Sequence, residues 1–83
     1  MRVNVLYFAS IRESIGVSAE VLQTQAQNVE QLRDELINRG GIYAEVLTPN
    51  KVLKTALNQE MCTPQSPLSE GCELAFFPPV TGG

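Results

Sequence analysis

Eighty-three residues, 43% of them hydrophobic and 18% charged, suffice for one folded domain with a modest core and argue against disorder. The net charge is −3 and the six Lys and Arg are scattered, so no basic stripe is available for phosphates. Nucleic acid and anionic membrane surfaces are thereby disfavoured as partners. No apolar run is long enough to span a bilayer, and Asn4 and Arg12 interrupt any signal-peptide core, so the expected location is cytoplasmic.

Val3 to Phe8 is rich in β-formers and predicts a first strand. Ser10-Ile11-Arg12-Glu13 has capping-box spacing and Gly16 follows a turn later, which predicts a short helix. Ser18 to Thr24 alternates weakly and reads as a second strand, with Ala19, Val21 and Gln23 opposite Glu20, Leu22 and Thr24.

The strongest helix signal starts at Asn28, an N-cap residue with Gln31 three positions on and Glu30 in the first turn. Val29, Leu32, Leu36 and Ile37 form one apolar stripe, Arg39 suits the last turn, and Gly40-Gly41 is a stop. A further helical turn is expected through Tyr43 to Leu47, ending before Pro49. Val52 to Asn58 reads as a strand, Asn58-Gln59 as a turn into Glu60-Met61-Cys62, and Pro64, Pro67 and Gly71 as loop punctuation. Cys72 to Phe77 is the last strand.

Strands around one main helix make an α+β domain, compatible with a mixed sheet packed on that helix in the ubiquitin-like β-grasp arrangement. The expected organisation is a β-grasp domain over 1–77 and a flexible tail over 78–83. Strand parity places Val3, Val5 and Tyr7 on one face and Asn4, Leu6 and Phe8 on the other, which Asn4 marks as wet. In the last strand Glu73 likewise turns Phe77 outward. Two outward aromatics on so small a domain point to a binding patch, which Met61 would extend.

Few residues here are equipped for chemistry. The chain has no histidine and neither a nucleophile motif nor a phosphate loop. Asp34, Glu35, Glu45, Glu60, Glu70 and Glu73 are expected on solvated faces. Cys62 and Cys72 do not form a CxxC pair, so no metal site is expected, and free thiols near adjacent strands are the simpler alternative to a redox pair. No cofactor is expected to bind this chain.

The distinctive segment is Pro78-Pro79-Val80-Thr81-Gly82-Gly83. Two glycines can thread a channel too narrow for side chains, and two prolines should hold the start of the tail extended, away from the body. The reactive group on offer is the Gly83 carboxylate; the alternative is a frayed end. Six residues reach about 20 Å. Fixing four or five of them costs about 4–10 kcal/mol, against roughly 8–12 kcal/mol as an upper bound for burying two Phe side chains. A tail of this kind therefore needs the folded body as its anchor.

Phe76-Phe77-Pro78-Pro79-Val80-Thr81-Gly82-Gly83 resembles the C-terminal signature of the small subunits of molybdopterin synthase. Tyr7-Phe8-Ala9 with Arg12-Glu13, Asn58-Gln59, and Pro67-Leu68 before Gly71 are similar to that family in type and spacing. The resemblance implies the β-grasp fold and a sulfur carrier in molybdenum cofactor biosynthesis, working as the non-catalytic subunit of a heterotetrameric synthase. It implies that an E1-like adenylating enzyme, using ATP, activates Gly83, which then becomes a thiocarboxylate. The sulfur would pass to cyclic pyranopterin monophosphate in the large subunit's active site. Phe8, Met61 and Phe77 match the family's exposed apolar contacts, and Arg12 is an interface candidate. A ubiquitin-like carrier for thiamine synthesis or protein modification, and a plain interaction module, are the alternatives.

Overall fold

A computed structural model describes residues 1–79; the expectations for Val80, Thr81, Gly82 and Gly83 lie outside the described residues. Strand β1 (Arg2–Tyr7) leads through α1 (Ala9–Ile15) to β2 (Ala19–Gln23). Helices α2 (Val29–Ile37) and α3 (Gly41–Val46) follow, then β3 (Lys54–Leu57), β4 (Glu60–Met61) and β5 (Glu73–Phe77). The five strands form one sheet in the order β2-β1-β5-β3-β4. The neighbouring interior strands β1 and β5 run parallel, and the other pairings are antiparallel. This mixed sheet backed by one main helix is the ubiquitin-like β-grasp.

Helix α2 forms where its sequence signals it. The Asn28 side chain accepts the Gln31 N–H at 2.8 Å, and Val29, Leu32 and Leu36 bury one stripe. The Gln31 side chain reaches back one residue further than a capping box requires, accepting the Gln27 N–H at 2.8 Å. The helix ends at Ile37 with Asn38 as its cap, before the expected Gly40-Gly41 stop, so Arg39 lies beyond the last turn. The glycines instead open α3.

Helix α1 departs from expectation at its start. Ser10 makes no capping bond; Phe8 occupies the cap position and Ala9 takes a left-handed φ of 52°. The expected stop is correct, since Gly16 adopts φ 95° and its N–H donates to the Arg12 carbonyl at 2.8 Å. Strand β3 is shorter than the predicted 52–58, because Asn58 and Gln59, both at positive φ, form the two-residue hairpin turn into β4.

The core lies between the sheet and the helices, where Val3, Val5, Tyr7, Leu32, Leu36, Leu47, Leu74 and Phe76 are buried. The parity reading of β1 and β5 identified this inner face. Among the described residues, no helix is long and apolar enough to cross a membrane.

Candidate functional site

Ile11 of α1, Leu32 and Leu36 of α2 and Val46 of α3 join one cluster with the inner-face residues of the sheet, so among the described residues no helix covers its outer side. Register defines what that outer side carries. Leu6 lies beside Ala19 on β2 and Ala75 on β5, Ala75 beside Ala56 on β3, and Ala56 beside Met61 on β4. An apolar row thus crosses all five strands, with alanines as its floor. One step along, Phe8 and Phe77 follow the paired residues Tyr7 and Phe76, and Phe77 faces Lys54 across the ladder. Val21, 59% exposed, extends the face on β2.

Three of the predicted interface residues therefore share one surface. Phe8 is 44% exposed and Met61 65%. Phe77 is half-buried rather than open, and its partner across the ladder is Lys54 of the neighbouring strand. Arg12 is exposed on α1, outside the sheet, and the structure does not bring it onto this face. Of the carboxylates expected in water, Glu73 is half-buried; its backbone N–H donates to the Asn58 side chain at 3.0 Å.

β5, a central strand, ends at Phe77 and hands the chain to Pro78 and Pro79. Its last rung to β1 is the Phe8 N–H donating to the Phe76 carbonyl at 3.1 Å. Both prolines are half-buried and line a groove with Ile11, Ser14, Val46 and Leu53. Their half-burial corrects the expectation that they stand clear of the body: they form part of the groove's lining.

A second cleft, about 470 Å³, opens between the start of α2 and strands β3 and β4, with Cys62 and Met61 on its wall. Its guanidinium, Arg33, is occupied: it donates to the carbonyls of Leu47 and Thr48 at 2.7 Å and of Lys51 at 3.0 Å. Burial lowers the pKa of Arg33 from its ordinary value. Cys62 and Cys72 are free thiols, Cys62 with its sulfur 3.2 Å from the Thr55 hydroxyl.

Sequence reasoning missed Glu20. Its carboxylate accepts the Tyr7 hydroxyl at 2.7 Å, the Tyr43 hydroxyl at 2.9 Å and Arg39 Nη1 at 2.8 Å. Burial opposes its ionisation most strongly, but the bonds from Arg39, Tyr7 and Tyr43 together outweigh that, and its pKa is lowered. Burial, and then the bond to Glu20, push the Tyr7 hydroxyl far above the usual tyrosine range. The signal was present in the parity of β2, which set Glu20 on the same face as Leu22 and Thr24. A carboxylate sharing a face with a core leucine needs partners.

Comparison with known proteins bears on both the face and the tail. The ThiS family profile matches residues 5–83, so the Gly-Gly pair falls within it. A molybdopterin synthase sulfur carrier subunit from Haemophilus influenzae is 44% identical over 80 residues, covering 96% of this chain and 98% of its own. One from Escherichia coli K12 is 40% identical over 81 residues, covering 98% and 99%. Among solved structures, a protein–protein complex of subunits 1 and 2 of molybdopterin-converting factor from Helicobacter pylori contains a chain that superposes with a TM-score of 0.69. That chain is 27% identical, and the match covers all of both chains.

Proposed function

The chain belongs to the ThiS family, and on that premise we propose that it is the sulfur carrier subunit of a molybdopterin synthase. The observation that carries the reading is spatial: an uncovered apolar sheet face with Phe8, Met61 and Phe77 adjoins the strand that runs into Pro78-Pro79 and the Gly-Gly pair. The face docks on the large subunit, and the tail delivers. The identity of 44% and 40% to carriers so named favours this pathway over a thiamine or protein-modifying role.

A carboxylate is a poor electrophile, so its oxygen must first become a leaving group. An E1-like adenylating enzyme supplies this by joining the Gly83 carboxylate to the AMP part of ATP, with release of pyrophosphate. A sulfur donor then displaces AMP and leaves a thiocarboxylate. No cofactor binds this chain in the scheme; ATP is bound by the activating partner. Ionised sulfur is the nucleophile, as in thiolates, and attacks a carbon of cyclic pyranopterin monophosphate in the large subunit's active site, displacing an oxygen substituent. Water then cleaves the acyl–sulfur bond, leaving sulfur on the precursor and the Gly83 carboxylate restored. Docking turns that bimolecular encounter into a nearly unimolecular one. A cytoplasmic location belongs to the same proposal.

Removing Gly83, or adding one residue after it, tests the scheme with activating enzyme, large subunit and precursor reconstituted. Sulfur transfer should vanish while thermal unfolding stays unchanged; retained transfer would rule the carrier role out. Intact-mass measurement after activation should show a species heavier by the difference between sulfur and oxygen.

A further inference from the structure

We infer that Glu20 is a positioning residue for the root of the carrier tail. Its side chain is 21% exposed and lies on β2, an edge strand, yet the two tyrosines that grip it lead by separate routes toward Pro78 and Pro79. Tyr7, 1% exposed, stacks on Phe76 with ring centroids 6.3 Å apart and planes inclined by 15°. Phe76 is two residues before Pro78, and its carbonyl accepts the Phe8 N–H that closes the β1–β5 ladder. Tyr43 belongs to α3, and one turn later on that helix Val46 lines the same groove as Pro78 and Pro79.

Arg39 completes the clamp. It bonds Glu20 at 2.8 Å, and its guanidinium carbon lies 4.9 Å from the centroid of the Tyr43 ring. Glu20 thus acts at two places near the tail root: on the strand that leads into Pro78 through Tyr7 and Phe76, and on the groove that Pro78 and Pro79 share with Val46 through Tyr43. Hydrogen bonds to a charged acceptor are the stronger kind, and a ring held at its hydroxyl cannot slide along its stacking partner. Without the carboxylate the sheet would still form, because its apolar faces are unchanged, but the angle at which the tail leaves would be less defined. A delivered acyl tip needs that angle, since small errors of placement cost large factors in rate.

The test compares two amides on the same ladder in the Glu20→Gln chain. Phe8 N–H, bonded to Phe76 at the tail root, should exchange with solvent about tenfold faster, a local opening. Asn4 N–H, bonded to the Cys72 carbonyl at 2.9 Å at the other end, should exchange at its original rate. Equal acceleration at both amides, or at neither, overturns the inference. Tyr7→Phe keeps the stacked ring and loses the hydroxyl bond, so it should show the same selectivity with smaller size even if Glu20→Gln folds poorly.

The kinetic arm rests on the carrier reading. With activated carrier and large subunit, Glu20→Gln should lower kcat for sulfur transfer several-fold with KM unchanged, because the docking face is untouched. A raised KM with normal kcat overturns the positioning role. An unaltered chain that transfers no sulfur refutes the carrier reading instead, and the amide comparison then decides this inference by itself.

Discussion

The two faces of the sheet come from the same strands, alternate residue by residue, and have opposite fates. On the inner face Val3, Val5, Leu74 and Phe76 are each 0% exposed under the helices. On the outer face Phe8, Val21 and Met61 are apolar and open, with no helix over them among the described residues. Burial drives folding by roughly 25 cal/mol per Å², so the inner face stabilises the domain. The outer face contributes little until something else covers it. An apolar surface that folding does not use is a surface for a partner.

The sharpest way to break this comparison is to alter neighbours in one strand. Phe76→Ala empties a fully enclosed site and should cost about 3–5 kcal/mol, read as a large drop in the urea midpoint. Phe77→Glu, one residue along, should leave stability within about 1 kcal/mol, since a glutamate there would face Lys54 across the ladder. Its affinity for the large subunit should instead fall by a factor on the order of 10–100, measured by titration calorimetry. Matching losses of stability from both changes would make Phe77 a core residue and remove the basis for a docking face.

These two faces were legible in the sequence because a period of two is hard to disguise. Asn4 and Glu73 marked the wet side, and the side chains of Phe8 and Phe77 followed by alternation. The stripe of α2 and its Asn28 cap were readable for the same reason, a short-range rule with a short-range cause. What escaped was set by contacts distant in sequence. Glu20 meets Tyr43 and Arg39 only because α3 and the α2–α3 junction fold back onto β2. Ser10 looked like a cap, yet the helix begins earlier because the chain must turn sharply off β1 at Ala9. Within the tail, the motif itself was visible, while the half-burial of Pro78 and Pro79 depended on residues far away in sequence, Ile11, Val46 and Leu53, that line the same groove.

Acid should sharpen the contrast at the edge of the inner face. Folding lowers the pKa of Glu20, so the folded chain binds protons there less readily than the unfolded one. Its contribution to stability is complete above the unfolded value of about 4.3 and is lost as pH falls through the folded value. Tyr7, Tyr43 and Arg39 are the groups that face it, and all three hold their protons throughout that window. Glu20→Gln should therefore flatten the acid limb of a plot of unfolding free energy against pH and leave the neutral limb parallel. An acid limb of unchanged slope would mean that other carboxylates account for it.

The smallest expected effect concerns the point where the chain passes from one face to the other. Ala9 holds φ at 52°, a left-handed conformation that costs an alanine about 1–2 kcal/mol because its Cβ crowds the following carbonyl. That step lets Phe8 remain on the open face while Ile11, three residues later, enters the core. Ala9→Gly removes the crowding but adds about 0.4–1 kcal/mol of freedom to the unfolded chain, so the two effects nearly offset. The urea midpoint should rise slightly or hold, whereas Ala9→Val, branched at Cβ, should lower it clearly. If the glycine variant were instead the less stable by more than about 1 kcal/mol, the alanine would not be strained. The turn that divides docking face from core would then owe its geometry to Phe8 and Ile11 packing rather than to the backbone at Ala9.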